Sequence, residues 1–147
     1  MKKYWWSIII LLAIGVLYVA WYLASPLFID EVINETSPVI EDTMTLLYEG
    51  NFVDADDFHK TSGKVTIFES GRKIYLRFED FKATNGPDLK VYLSRDLEAK
   101  DYISLGDLKG NIGNQNYEIP EEVDINSYNK VLIWCRAFGV LFGSAEI

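Results

Sequence analysis

The sequence KVTIFESGRKIYLRF, at residues 64–78, contains the clearest fold signal in this chain of 147 residues. Two runs rich in β-branched and aromatic residues flank Ser70-Gly71-Arg72. Glycine readily adopts the positive φ that a tight hairpin turn needs. We therefore predict a β-hairpin whose strands are Lys64–Glu69 and Lys73–Phe78.

Similar short apolar runs, separated by turn residues such as Asn85-Gly86-Pro87-Asp88, continue on both sides of this hairpin. The other predicted strands are Tyr48–Phe52, Leu89–Leu93, Tyr102–Leu105, Tyr117–Ile119, Lys130–Phe138 and Val140–Glu146. No convincing helical stretch lies among them. About eight short strands at this spacing are typical of an antiparallel β-sandwich or barrel-like domain. The predicted fold class is therefore mainly β.

The segment Tyr4–Ala24 has a different, continuously apolar pattern. No charged residue occurs between Lys3 and Asp30, and aromatic residues stand at both ends of the segment. Such rings favour the headgroup layer of a bilayer. A helix of this length measures about 30 Å, the thickness of the hydrocarbon core. We predict a single-pass transmembrane α-helix that precedes the β domain.

The charges beside this helix predict its orientation. Lys2 and Lys3 favour a cytoplasmic N-terminus, which places the C-terminal domain on the extracytoplasmic side of the cell membrane. A cleaved signal peptide has a shorter apolar core and small residues before its cleavage site, whereas Tyr22 is bulky. We therefore expect an uncleaved signal anchor.

Composition divides the chain into three parts. Residues 1–24 are the transmembrane anchor, and residues 48–147 are the β domain. Residues 25–47, between them, show no sustained periodicity and contain two prolines. We interpret this middle part as a linker or stalk.

The charge balance limits the class of partner. The chain carries 14 Lys and Arg residues against 22 Asp and Glu residues, a net charge of −8, and Lys2 and Lys3 precede the anchor. The exported part is therefore more acidic still. Nucleic-acid binding generally requires a basic surface, because neutralising phosphates supplies much of the affinity. We expect membrane lipid as a partner through the helix, and no nucleic acid.

The residue inventory excludes most resident cofactors. The chain contains one histidine and one cysteine. Blue-copper sites, iron–sulfur clusters, bis-histidine haem and structural zinc each need more His or Cys ligands than that. Ser144 stands in a Gly-Ser-Ala sequence, which is not the Gly-x-Ser-x-Gly frame of a nucleophile elbow. We predict no cofactor within the chain and find no basis for a stand-alone enzyme.

Cys135 is the first candidate functional residue. Side chains alternate between the two faces of a strand. One face of the predicted strand Lys130–Phe138 is uniformly apolar and consists of Val131, Ile133, Cys135 and Ala137. Cys135 is thus expected in the core, with Trp134 and Arg136 on the more exposed side. Burial without a neighbouring cation makes a thiol inert, which favours a packing role for Cys135. A redox-active thiol is the alternative.

His59 is the second candidate. It could activate a nucleophile or bind a metal with Asp56 and Asp57. Its polar surroundings also fit a solvated or turn-bonding imidazole. Whether His59 approaches Cys135 does not follow from the sequence.

A set of short motifs spreads across the whole β domain. They are Gly50-x-Phe52, His59-x-x-Ser62-Gly63-x-Val65, Phe81, Gly86-Pro87-Asp88-Leu89-x-Val91-Tyr92-Leu93, Leu105-Gly106-x-Leu108-Lys109-Gly110, Gly113-x-Gln115-x-Tyr117-x-Ile119-Pro120 and Val131-x-Ile133-Trp134-Cys135-x-x-Phe138. Over residues 48–147 this pattern resembles the DM-thirteen (DM13) electron-transfer domain family, which is known from Skeletor-type proteins and often stands beside DOMON domains.

The resemblance implies a β-sandwich-like module with a redox role attached to the cysteine at position 135, with Trp134 and His59 as candidate neighbours. No DOMON or cytochrome domain accompanies the module here, so an electron partner would be another protein. The leading hypothesis is an extracytoplasmic redox or electron-transfer accessory module. The alternatives are a non-enzymatic cell-surface interaction module and a β-sandwich that binds a small ligand or a haem supplied with a partner's help.

Overall fold

The computed structural model describes residues 2–38 and 44–147. Helix α1 spans Lys2–Ala24, and a 3-10 turn follows at Ser25–Leu27. Within the described ranges, α1 is the one helix long and apolar enough to span a membrane, over Tyr4–Ala24. The side chains of Lys2 and Lys3, on which the predicted orientation depends, lie outside the described residues. So do residues 39–43 of the predicted linker.

Strands account for most of the rest of the described chain. They are β1 (Val32–Asn34), β2 (Met44–Asp54), β3 (Thr61–Ser70), β4 (Lys73–Ala83), β5 (Leu89–Ser94), β6 (Tyr102–Asp107), β7 (Ile112–Ile119), β8 (Lys130–Cys135) and β9 (Val140–Glu146). A 3-10 turn at Ile125–Ser127 precedes β8. The predicted hairpin is formed by β3 and β4, which pair from Thr61 and Ala83 to Ser70 and Lys73.

All of the described strands belong to one sheet with the order β1-β7-β4-β3-β2-β9-β8-β5-β6. The β1–β7 pair is parallel and the other pairs are antiparallel. Strand β2 joins the two halves, because Met44–Asn51 pair with β3 while Phe52–Asp54 pair with β9. The sheet curls there into a half-barrel. The predicted fold class, a mainly β barrel-like domain preceded by an apolar helix, is confirmed.

The concave side of the half-barrel holds the hydrophobic core. Four aromatic rings meet at its centre, with Phe78 as the hub: its ring centroid lies 4.9 Å from that of Phe52, 5.0 Å from that of Phe81 and 5.3 Å from that of Tyr117. Aliphatic side chains from β3, β5, β7 and β8 surround them. Burial of these apolar groups is the main source of stability in a domain without a disulfide.

The sequence-based strands differ from the structure on the N-terminal side. Strand β1 and the start of β2 lie within the range predicted as a linker. Gly113, at φ +107°, permits the β1–β7 pairing, because a Cβ there would stand 2.0 Å from the backbone oxygen of Ile33. Strand β7 likewise begins at Ile112, before the predicted strand Tyr117–Ile119, because its polar first half pairs with β1 and β4.

The predicted strand Lys130–Phe138 is too long. Strand β8 ends at Cys135, and the backbone N–H of Gly139 donates to the oxygen of Cys135 at 2.9 Å, which closes a turn. Gly139 adopts φ +64°, a value that few other residues adopt easily. As a result, Ala137 and Phe138 are exposed rather than part of the strand's two faces.

Candidate functional site

The candidate site lies at the end of the half-barrel that faces α1, which we call the anchor end. The β2–β3, β4–β5, β6–β7 and β8–β9 connections all meet there. A cavity of about 300 Å³ opens between the last turn of α1 and the domain. Its lining consists of Leu23, His59, Asn85, Gly86, Pro87, Phe138, Val140 and Phe142. Apolar side chains dominate this lining, and His59 is its one titratable group.

Cys135, at the last position of β8, pairs with a residue of the wall of this cavity. It is 0% exposed, and its strand neighbours are Leu89 on β5 and Val140 on β9. Val140 also lines the cavity. No hydrogen bond or ion pair reaches the Cys135 thiol from the described residues. The alternation of side chains along the strand predicted that Cys135 points into the core. Its complete burial in the core cluster agrees with that prediction.

Two of the motif segments, Gly86-Pro87-Asp88-Leu89 and Trp134-Cys135-x-x-Phe138, meet at Cys135. The β4–β5 turn carries Asp88, whose backbone oxygen accepts a 2.9 Å hydrogen bond from the N–H of Arg136. The Asp88 carboxylate also accepts a 2.9 Å bond from Arg136 Nε and lies 2.8 Å from Lys90 Nζ. Lys90 pairs in addition with Asp107. This ion cluster holds the Gly-Pro-Asp turn against the residue that follows Cys135.

Trp134 lies on the convex side of the sheet, opposite Lys90 on β5 and Leu141 on β9. Tyr92 stands diagonally across from it on β5, a position within reach of a large ring. The Tyr92 ring stacks on that of Tyr102, with 4.1 Å between centroids. Trp134 is half-buried, Tyr92 is buried and Tyr102 is exposed. Tyr92 and Tyr102 therefore form a stacked pair on the side of the sheet that Trp134 occupies.

His59 is held by the β2–β3 loop. Its Nδ1 lies 2.7 Å from Asp56 Oδ2, and its backbone N–H donates to Asp56 Oδ1 at 2.7 Å. The bond from the imidazole, followed by the backbone N–H groups of His59 and Phe58, lowers the pKa of Asp56 to about 2. The other side of the ring packs on Phe142, with 4.2 Å between centroids.

The predicted neighbours of Cys135 occupy different positions in the site. Trp134 adjoins it along β8 but faces the opposite side of the sheet. His59 shares no hydrogen bond with Cys135. Its imidazole packs instead on Phe142, which belongs to the same core cluster as Cys135. Across residues 2–38 and 44–147, no group of three His, Cys, Asp or Glu side chains is placed to hold a metal ion.

Sequence reasoning overlooked three parts of the site. The Asp88 ion cluster depends on the β5–β8 register, although Asp88 and Lys90 are only two residues apart. The Tyr92–Tyr102 stack needs the bulged β5–β6 pairing. Gly86 was noted only as a turn residue. A Cβ there would stand 3.0 Å from the Phe142 ring, so Gly86 also lets the turn approach the cavity wall.

Because of the Asp88 ion cluster, we expect the free energy of unfolding to fall at acid pH. Lys90 lowers the pKa of Asp88 below 3.8, burial opposes this shift, and Arg136 adds to the lowering. The stabilisation that ionised Asp88 provides is complete above the pKa that its carboxyl has in the unfolded chain. It is lost as the pH falls through the lower pKa of the same carboxyl in the folded domain. We expect Asp88→Asn to reduce the free energy of unfolding by about 2 kcal/mol at neutral pH. The difference from wild type should shrink below about pH 4.

Denaturant unfolding of the full chain in detergent, at neutral and acid pH, measures this difference. The matched control is Asp57→Asn, which changes an exposed carboxylate at the same end of the domain. The control should unfold like wild type at both pH values. An Asp88→Asn effect that stays constant down to acid pH would contradict the assigned ion cluster.

Comparison with known proteins places these features in a family. The family described as Electron transfer DM13 matches residues 51–147, which include all of the site except the end of α1. No curated protein and no solved structure matches the chain. The match extends over more than half of the sequence and confirms the resemblance drawn from its motifs. The chain therefore belongs to the Electron transfer DM13 family.

Proposed function

We propose that this protein is a membrane-tethered, extracytoplasmic redox accessory module in which Cys135 is the redox group. The observation that carries the proposal is the convergence of the Gly-Pro-Asp turn and the Trp134-Cys135 segment beside one cavity. Leu89 pairs with Cys135, and Asp88 binds Arg136. The electron-transfer family of the domain supports the same role.

The tethering part of the proposal rests on α1. Its residues Tyr4–Ala24 have the length and mean hydropathy of a membrane span. Lys2 and Lys3 precede this span, and positive residues favour the cytoplasmic side. The domain would then fold outside the cytoplasm, where one cysteine allows no disulfide within the chain. Its electron partner would be another protein, with no cofactor resident in the chain.

Two routes to Cys135 are compatible with its burial. In the thiol route, a small reactant enters the cavity and reaches the sulfur when Val140 or Phe138 moves aside. In the aromatic route, an oxidised partner protein takes one electron from Cys135 through Trp134, Tyr92 and Tyr102, and the thiol proton leaves to water in the cavity. Burial raises the pKa of Tyr92, which moves it further from neutral pH.

The rate of native-state thiol labelling tests the thiol route. We expect a small, uncharged alkylating reagent to modify Cys135 at a rate that is nearly independent of denaturant at low concentration. Such behaviour indicates a local opening at the cavity rather than global unfolding. The measurement is the labelling rate of the full chain in detergent, followed by mass spectrometry. With a single cysteine, all labelling reports on Cys135.

A second variant, Phe138→Ala, removes an exposed ring from the cavity wall. It should speed local labelling several-fold and leave global stability unchanged. A labelling rate that follows the global unfolding equilibrium at all denaturant concentrations would eliminate the thiol route. If Cys135→Ala then also preserves the protein's cellular role, the redox proposal itself fails and the non-enzymatic interaction module is favoured.

A further inference from the structure

The connection between α1 and the domain is short and bonded to the domain. Only the 3-10 turn and Phe28 separate α1 from residues that the domain holds. The Asn85 amide donates to the Ile29 oxygen at 2.8 Å, and the Asn111 amide donates to Asp30 Oδ1 at 2.7 Å. The N–H of Glu31 in turn donates to Asn111 Oδ1 at 2.7 Å. The anchor end is therefore held close to the end of α1.

The end of α1 also contacts this surface directly. The hydroxyl of Tyr22 donates to the backbone oxygen of Pro87 at 3.2 Å. Leu23 and Phe138 line the same cavity. Tyr22 belongs to the C-terminal aromatic residues of α1, which favour the headgroup layer. The surface of the domain that continues from these residues must lie at a similar depth.

Three phenylalanine rings project from this surface. Phe28 is 78% exposed, Phe58 is 83% exposed and Phe138 is 59% exposed. They come from the tether, the β2–β3 loop and the β8–β9 turn, three connections that share the anchor end. We call this set the phenylalanine face. Single exposed apolar residues are ordinary, but three large rings around the exit of a spanning helix match an interfacial surface.

We propose that the phenylalanine face rests in the headgroup layer of the bilayer that α1 spans, with Phe58 and Phe138 inserted among the lipids. This proposal rests on the proposed membrane anchoring of α1. Aromatic rings are favourable at that depth, and each one buried removes apolar area from water. The cavity beside Cys135 would then open at the lipid surface, so its reactants would be lipid-soluble or membrane-bound.

Spin labels at single cysteines test this placement. In a Cys135→Ala background, nitroxides are attached at Phe58→Cys and Phe138→Cys in the full chain, reconstituted in vesicles of phosphatidylcholine and phosphatidylglycerol. Collision rates with oxygen, which is concentrated in lipid, are compared with those of a water-soluble nickel chelate. We expect the oxygen-to-nickel ratio at both positions to be several-fold higher than at Leu97→Cys. Leu97 is an exposed apolar residue in the β5–β6 loop at the opposite end.

A label at Leu12→Cys, within the predicted span, separates the two proposals. A high oxygen-to-nickel ratio at Leu12→Cys, with Phe58→Cys and Phe138→Cys as accessible to nickel as Leu97→Cys, would overturn the phenylalanine face alone. A low ratio at Leu12→Cys would overturn the anchoring on which it rests. Each labelled chain is checked for native unfolding behaviour, and Cys135→Val serves as the background if the alanine variant does not fold.

Discussion

Replacing Phe78 with alanine should lower the free energy of unfolding by about 4 kcal/mol, a large part of the stability of a domain this size. Phe78 is 0% exposed, and its ring contacts those of Phe52, Phe81 and Tyr117. Truncation removes the transfer free energy of the ring and leaves a cavity between strands β2, β4 and β7. Strand β2 is paired with β3, and β4 is paired with β7, through most of their lengths. Their backbones therefore cannot move together to fill the cavity.

The buried thiol offers a direct measurement of this effect. A pulse of alkylating reagent much shorter than the labelling time of the native protein modifies Cys135 only in unfolded molecules, so the labelled fraction across a denaturant series gives the unfolding midpoint. The matched control is Phe58→Ala, which deletes the same ring from an exposed position. In detergent it should change stability by less than about 0.5 kcal/mol. Equal losses for Phe58→Ala and Phe78→Ala would contradict the assigned core.

The second large effect is expected at Gly50, where alanine should destabilise the domain by about 3 kcal/mol. An added Cβ would stand 2.0 Å from the backbone oxygen of Glu146 and 3.5 Å from a methyl group of Val65. The first neighbour is main chain and cannot move without parting β2 from β9. Because β2 is the strand at which the sheet curls, a displacement there affects both halves of the half-barrel.

Asn51→Ala is the control for Gly50→Ala. It places alanine at the next, exposed residue of the same strand and should leave the unfolding midpoint close to that of wild type. The same pulse-labelling measurement applies to both variants. A Gly50→Ala domain as stable as Asn51→Ala would mean that the β2–β9 contact is looser than the structure describes.

The sequence predicted the parts of the fold that depend on neighbouring residues. The hairpin of β3 and β4 follows from two apolar runs and a glycine turn, all within residues 64–78. Strand β1 has only three residues, and its parallel partner lies about 80 positions away, so no local pattern reveals it. The first half of β7, with Asn114 and Gln115, is too polar to suggest a strand.

The candidate site likewise has features that depend on neighbouring residues and features that depend on distant ones. Alternation along β8 is a local property, so it placed Cys135 inward and Trp134 outward. The contacts that turn Cys135 into part of a site depend on register: Leu89 and Val140 flank it, and Asp88 reaches Arg136 from another strand pair. The cavity itself requires α1 to end beside the domain, which composition alone does not indicate.

The position of β9 constrains how this domain acquires its structure during synthesis. It is the final strand along the chain, yet it lies in the interior of the sheet between β2 and β8. Until β9 has been synthesised, β2 and β8 expose unpaired backbone edges, which are prone to aggregation. Assembly of the sheet must therefore wait for β9 and proceed through contacts between distant residues, which slows folding. Chaperone protection would matter most during that interval.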